Sequence, residues 1–159
     1  MTQDKPWYEV IVMPALLRHA RNTYGKAMRA ALEAEGYDDI PGNGLYVIGG
    51  LSKGGGGIPI RQLMRELGIT KQGAGQLVDT LVSRGYLQRT PNEADRRQLI
   101  ITLTDRGRAA AETQKTARAK IDAALKERVG EADILAARRA LAALIELQRE
   151  AAAGEVEGR

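Results

Sequence analysis

Apolar side chains recur at helical spacing through most of the chain. Residues 15–35 contain no proline and a single glycine, and Gly36 is suited to end that helix. Toward the other end, residues 106–129 and 131–152 are rich in alanine and carry stripes of larger aliphatic residues, with Gly130 between them. The pattern predicts a mainly α-helical protein with one leading helix and two closing helices.

Two short amphipathic segments follow each other in the middle of the chain. Residues 58–67 place apolar side chains at positions i, i+3, i+4 and i+7, which predicts a helix. After the break at Gly68, Thr70 is a good N-cap for a second helix over residues 71–84. Two helices joined by a glycine-containing turn form a helix-turn-helix.

The next segment has the pattern of a small β-hairpin, or wing. Residues 86–89 are strand-like, residues 98–103 alternate apolar and polar side chains, and the polar stretch 90–97 connects them. Residues 45–48, earlier in the chain, predict a brief helix. The four glycines 54–57 predict a flexible linker, since a phosphate-binding loop, the alternative, needs Gly-Lys-Ser/Thr in that order.

Composition and charge narrow the function. The 159 residues include no cysteine and one histidine, which excludes disulfides, thiolate zinc sites and histidine-rich metal sites. The net charge of +4 arises in residues 58–111, where nine basic residues stand against five acidic ones. This local excess indicates a surface for a polyanion. With no secretory pattern and no bilayer-length apolar run, we expect a cytoplasmic protein without a membrane partner.

Four short motifs in the central segment carry a family resemblance. They are Gly68-Ile69-Thr70-Lys71-Gln72, then Arg84-Gly85-Tyr86-Leu87, and the pair Asp95-Arg96-Arg97 and Leu103-Thr104-Asp105-Arg106-Gly107. Together they resemble the winged helix-turn-helix of the MarR family of transcriptional regulators. The resemblance implies one domain over residues 1–159, with a DNA-binding lobe at 58–107 and a helical dimerisation lobe at 7–36 and 108–152.

The second helix of the motif presents polar groups suited to DNA. Gln72 and Gln76 lie one turn apart on its exposed face, and glutamine can pair bidentately with adenine. Gly73 and Gly75 would let the backbone approach a duplex closely, at a cost in helix propensity. Lys71 lies where a phosphate would meet the positive end of the helix. Ordinary solvated positions on a surface helix are the alternative interpretation.

The wing is the second candidate contact. An arginine at a hairpin tip is suited to a narrow minor groove, and the resemblance gives this role to Arg97, with Asp95 orienting it and Arg96 meeting a phosphate. A surface ion pair is the alternative. The full set of predicted DNA-binding residues is Thr70, Lys71, Gln72, Gly73, Gly75, Gln76, Thr80, Arg84, Asp95, Arg96 and Arg97.

The aliphatic surfaces of the leading and closing helices exceed what one small winged domain covers. Pairing them across a two-fold axis predicts a homodimer and a near-palindromic operator with half-sites about one helical turn apart. Packing of the three helices within one chain is the alternative.

The resemblance also implies a small aromatic or phenolic effector, bound between the two lobes and shifting the protein between conformations. The absence of cysteine excludes the peroxide-sensing thiol of one branch of the family. Side chains able to line the cleft are Trp7, Tyr8, Met13, Arg18, His19, Tyr24, Met28 and Tyr46. Ordinary core or interface packing is the alternative for each of them.

These observations favour a homodimeric transcriptional regulator of double-stranded DNA, most simply a ligand-responsive repressor. An architectural DNA-binding protein without an inducer is the alternative, and it would show weak sequence preference. An enzyme is disfavoured, since we find no catalytic set, no metal-ligand set and no cofactor motif.

Overall fold

A computed structural model describes residues 5–54 and 57–157. Contacts divide the chain into two units, which meet in sequence at Arg118 and Ala119. The mainly α class with a small antiparallel wing is confirmed. In chain order the elements are α1 Trp7–Val10, α2 Met13–Ala34, α3 Gly44–Leu51, β1 Ile58–Pro59, α4 Ile60–Leu67, α5 Lys71–Ser83, β2 Leu87–Pro91, β3 Leu99–Leu103 and α6 Asp105–Glu157.

Glycine turns and capping side chains mark the ends of the helices, and the predicted end of the first long helix at Gly36 is confirmed. Gly36 follows α2 at φ 82°, and Gly85 follows α5 at φ 81°, conformations that favour glycine. The Thr104 hydroxyl accepts a hydrogen bond from the Gly107 N–H at 3.0 Å and caps the start of α6. Within α6, Gly130 has φ 80° and ψ 170°, so the predicted break between the closing helices is confirmed.

The sheet has three strands in the order β1-β3-β2, all antiparallel. We predicted one helix over residues 58–67, and this was wrong at its start, because Ile58 pairs with Ile101 as an edge strand. Gly57 makes the pairing possible, since it has φ +75° and a Cβ there would lie 2.6 Å from the Ile101 carbonyl oxygen. The strand β2 also continues to Pro91, two residues past the predicted end.

One aliphatic core joins the elements from α2 to the first turns of α6. The side chain of Tyr86 lies in this core, fully buried. Helix α5 contributes Ala74, Val78 and Leu81, all fully buried, so one side of this helix is fixed against the protein. Other core residues are Leu32, Ile40, Leu45, Val47, Ile48, Leu51, Leu63, Leu87, Ile101, Leu103, Ala110 and Ala111.

The second unit, from Ala119 onward, differs in burial. Its described side chains up to residue 154 are exposed, except for the half-buried Ile121 and Ile134. Five large aliphatic residues, which we call the leucine stripe, are 43–65% exposed: Leu135, Leu141, Leu144, Ile145 and Leu147. Among the described helices, none combines the length and the apolar character needed to cross a membrane.

Candidate nucleic-acid interface

The outer face of α5 is set by what the helix buries. Since Ala74, Val78 and Leu81 are anchored in the core, the opposite side of the helix faces solvent. Gln72 and Gln76 lie there, both exposed. Two amide side chains one turn apart on a rigidly held helix can contact neighbouring base edges.

The N-terminus of α5 is ordered by a side-chain cap. The Thr70 hydroxyl oxygen accepts a hydrogen bond from the Gly73 N–H at 3.1 Å, which confirms the predicted N-cap. Lys71 is exposed in the first helical position. An ammonium group beside the positive end of a helix suits a phosphate.

The two glycines of α5 differ in what surrounds them. A Cβ added at Gly73 would lie 3.3 Å from the Thr70 hydroxyl oxygen, closer than an ordinary van der Waals contact, so the capping hydroxyl would have to shift slightly. A Cβ at Gly75 would meet nothing within 4 Å among the described residues outside its own turns. Packing within the protein therefore gives no reason for glycine at position 75, whereas close approach of another molecule would give one.

Thr80 and Arg84, two other predicted DNA-contact residues at or near the end of α5, donate side-chain hydrogen bonds to backbone carbonyl groups. The Thr80 hydroxyl donates to the Gln76 carbonyl at 2.8 Å. The Arg84 guanidinium donates to the carbonyl of Asp39, on the loop before α3. Arg84 therefore ties the end of α5 to that loop, a role that the sequence did not reveal.

The wing tip is held by short-range hydrogen bonds. The Asp95 carboxylate accepts from the Arg97 N–H at 3.1 Å, and the Asp95 carbonyl accepts from the Gln98 N–H at 2.9 Å. Asp95 thus orders the backbone of the turn that carries Arg97. The side chains of Arg96 and Arg97 are exposed at this tip. The arrangement presents two guanidinium groups on a short, ordered hairpin.

A cluster of three polar side chains lies near the end of α5, and the sequence analysis did not predict it. The Tyr86 hydroxyl donates to the Asp39 carboxylate and accepts from Arg106 at 2.9 Å. The Arg106 guanidinium also lies over the rings of Tyr37 and Tyr86, at 5.3 Å and 4.6 Å from their centroids. We call Asp39, Tyr86 and Arg106 the Asp39 cluster. It joins the loop before α3, the end of α5 and the start of α6.

Hydrogen bonding and burial shift the pKa values of this cluster. The hydrogen bond from Tyr86 is the largest cause that lowers the pKa of Asp39, and the charges of Arg106 and Arg84 act in the same direction. Burial, followed by the bond to Asp39, raises the pKa of Tyr86 to about 12. At neutral pH the cluster therefore holds an ionised carboxylate and a neutral phenol.

An ion pair links α5 to the wing. The Arg89 guanidinium, on β2, donates to the Asp79 carboxylate on the outer side of α5. Both side chains are substantially exposed, 37% for Arg89 and 68% for Asp79. Arg61 and Arg65 are exposed on α4 as well. In the sequence, these three arginines are visible only as part of the basic excess of residues 58–111. Neither periodicity nor spacing shows which face of a strand contacts a helix.

A basic cleft lies between α2 and α3, with a volume of about 420 Å³. Arg21 donates to the Tyr46 hydroxyl at 2.7 Å and lies 4.5 Å from the centroid of its ring. Arg29 donates to the Ile40 carbonyl at 3.2 Å. The lining comprises Arg21, Asn22, Gly25, Lys26, Arg29, Gly42, Asn43, Leu45 and Tyr46.

The predicted effector residues are only partly gathered by this cleft. Tyr46 lines it, whereas Trp7, Tyr8, Arg18, His19 and Tyr24 are not among its lining residues. Trp7 and Tyr8 pack edge to face, with centroids 5.9 Å apart, and are largely exposed. Arg18 and His19 are exposed on α2, and Tyr24 is half-buried. The sequence missed Arg21 and Arg29, although their spacing of two helical turns places them on one face.

Comparison with known proteins finds a family model that matches the central segment of the chain. Residues 38–98 match the family model described as the MarR family. No curated protein matches the chain in sequence. Within the described part of the chain, no group of three or more His, Asp or Glu residues could hold a metal ion.

Several solved structures share the fold. FabT of Streptococcus pneumoniae, solved in complex with DNA, has a TM-score of 0.72 and 20% identity, covering 87% of this chain and 96% of that one. The S. aureus MepR–DNA complex has a TM-score of 0.69 and 18% identity, covering 86% and 98%. A MarR transcriptional regulator from Methanosarcina mazei Go1 has a TM-score of 0.70 and 19% identity, covering 87% and 96%. The chain therefore shares the fold of these solved proteins over most of its length.

Proposed function

We propose that this protein is a homodimeric, sequence-specific transcriptional regulator of double-stranded DNA. Residues 38–98 match the MarR family model, and the chain shares its fold with solved proteins named as regulators or solved with DNA. The observation that carries the proposal is the outer face of α5. Gln72 and Gln76 project from a helix whose other side is fully buried, with an open glycine position beside them. No enzymatic activity is proposed, since these relatives are named as transcription regulators or as DNA complexes.

The contacts to DNA divide between two grooves. Gln72 and Gln76 enter the major groove, with Gly75 allowing the backbone of α5 to come close. Thr70 and Lys71 bring the N-terminus of the helix to a phosphate. In this proposal the lobe of residues 58–107 supplies all base contacts.

The wing supplies the second set of contacts. Arg97 enters the neighbouring minor groove, where the negative potential of a narrow groove favours a guanidinium. Arg96 contacts phosphate, and Asp95 acts indirectly, through its hydrogen bond to the Arg97 backbone. Phosphate contacts fix the position of the protein, and base contacts give it specificity.

Dimerisation explains the exposed leucine stripe. Helices with one apolar face need a partner surface, and a second copy supplies an identical stripe in a two-fold interface. We propose that residues 7–36 and 108–152 form this dimerisation lobe. Two copies then bind a near-palindromic operator, with half-sites about one helical turn apart.

The basic cleft supports a ligand-responsive repressor. Arg21, Lys26 and Arg29 favour an anion, and the ring of Tyr46 favours an aromatic one. We propose that a small aromatic or phenolic anion binds there and releases the protein from DNA in the cytoplasm. Benzoate and phenolate-bearing probes should bind with an affinity that Arg21→Gln lowers; an unchanged affinity would remove this site.

Selection of bound sequences from a random duplex pool tests the main proposal. A near-palindromic consensus supports it, whereas no consensus, with affinity set by salt alone, supports an architectural DNA-binding protein. At fixed salt, Gln76→Ala should change preference at one or two base pairs by about 1 to 3 kcal/mol each, and Arg97→Ala should weaken binding to many sequences. Equal affinity of both variants with the unmodified protein would overturn these assignments.

A further inference from the structure

An acidic side chain stands on the face of α5 that we propose meets DNA. Asp79 is the only acidic residue in α5, and it follows Gln72 and Gln76 on the exposed side, about one turn after Gln76. Phosphates repel a carboxylate at such a position. The presence of Asp79 therefore needs a reason other than affinity for DNA.

The partner of Asp79 supplies that reason. The Arg89 guanidinium is held by the Asp79 carboxylate, and Arg89 lies on β2, the strand that leads from the end of α5 toward the wing tip. Arg89 thus belongs to the stretch of surface between the two proposed contact regions. An exposed pair of this kind adds little to the stability of the fold.

We propose that Asp79 competes with DNA phosphate for Arg89 and so limits the affinity of the protein for non-specific DNA. Carboxylate and phosphate both accept paired hydrogen bonds from a guanidinium, so either can hold Arg89. In the free protein the carboxylate holds it; on a fitted operator the guanidinium turns to a phosphate. This inference rests on the proposed DNA binding and adds a residue that sets specificity.

The competition has a measurable electrostatic signature. One additional arginine–phosphate contact steepens the dependence of log affinity on log salt by about 0.9. Removing the charge of Asp79 frees Arg89 for any duplex, whatever its sequence. Random-sequence DNA should therefore gain more affinity than the operator, and the ratio between the two should fall.

The experiment compares the unmodified protein with four variants, each as the full chain: Asp79→Asn, Arg89→Gln, the double variant, and the control Asp38→Asn. Asp38 is exposed and lies outside both proposed lobes, so its substitution makes the same chemical and charge change away from the interface. Fluorescence anisotropy measures binding to a random-sequence duplex and to the selected operator, between 50 and 200 mM salt. Thermal melting followed by circular dichroism checks that all variants fold.

We expect Asp79→Asn to bind the random duplex about three- to tenfold more tightly, with a salt slope steeper by about one. The gain should vanish when Arg89→Gln is present, and Asp38→Asn should stay within about twofold of the unmodified protein. A gain that persists without Arg89 overturns the inference, because repulsion alone then explains it. Unchanged binding overturns it too.

A loss of operator affinity in Asp79→Asn would mean that the carboxylate accepts a hydrogen bond from a cytosine amino group, and this also overturns the inference. Failure of the proposed function is a separate outcome. In that case the unmodified protein selects no operator at all, whereas failure of the inference alone leaves operator binding intact.

Discussion

The two units of the chain bury their apolar side chains to very different extents. Up to Arg118, aliphatic residues from the helices and the sheet enclose a core in which Tyr86 is inaccessible to solvent. From Ala119 onward, the leucine stripe is exposed. Helices in water owe most of their stability to packing of an apolar face. The first unit therefore supplies its own core, whereas the second needs another surface, which we propose is a second copy.

The largest expected effect comes from a charge placed in the leucine stripe. Leu144→Asp would bury an unpaired carboxylate at each of two equivalent positions in the proposed interface, a change that costs about 3 to 5 kcal/mol when a buried charge lacks a partner. Sedimentation at micromolar concentration should show a dimer for the unmodified protein and a monomer for this variant.

Leu99→Asp is the matched control, because Leu99 is 54% exposed on β3 and lies outside the stripe. It should remain dimeric. A monomeric unmodified protein, or a dimer unaffected by Leu144→Asp, would show that the exposed stripe is not the interface.

Two glycines provide the next comparison. A Cβ at Gly107 would lie 2.1 Å from the Tyr86 carbonyl oxygen, so Gly107→Ala should destabilise the first unit by about 1 to 3 kcal/mol. At the open Gly75, alanine should raise the stability by up to about 1 kcal/mol, because alanine has the higher helix propensity. Urea unfolding measures both changes.

At Gly75, the stability of the fold and the affinity for DNA should change in opposite directions. Gly75→Ala should bind the operator more weakly in spite of its greater stability, since the added methyl group faces the proposed major-groove contact. Equal or tighter binding would show that glycine at position 75 has no part in the approach of DNA.

The smallest expected effect depends on pH. Because the pKa of Asp39 is lowered in the folded protein, its ionised form stabilises the fold above the ordinary aspartate pKa, and this contribution is lost as the pH falls through the folded value. The difference in urea midpoint between the unmodified protein and Asp39→Asn should therefore shrink between pH 7 and pH 3. Tyr86→Phe, which removes the same hydrogen bond, should show the same trend. A difference that stays constant with pH would mean that the charge of Asp39 does not contribute.

Helix α5 and the wing could be predicted because capping residues, turn residues and the spacing of apolar side chains within each segment define them. The N-cap at Thr70 and the end of α2 at Gly36 depend on residues near one another in sequence, and these predictions are confirmed. The strand β1 was not predictable, because Ile58 is apolar at helical spacing and becomes a strand only by pairing with Ile101. Tertiary contact overrides local preference there.

Polar contacts between residues far apart in sequence could not be predicted from the spacing of apolar and polar positions. Asp39 meets Tyr86 and Arg106 across 47 and 67 positions of the chain, so a turn carboxylate gave no sign of its partners. The predicted effector residues combined aromatic side chains with Arg18 and His19, whereas the cleft is lined largely by other basic and small residues of α2. Of the predicted effector residues, Tyr46 is the one that lines the cleft.

Protection of single thiols by DNA tests most directly whether α5 and the wing form the DNA-binding surface. Because the chain contains no cysteine, Gln72→Cys, Arg96→Cys and Lys53→Cys each introduce one thiol, the last at an exposed position outside the proposed lobes. Maleimide labelling should slow severalfold for the first two when saturating operator duplex is added, and stay unchanged for Lys53→Cys. Equal labelling rates with and without bound duplex at positions 72 and 96 would contradict the account.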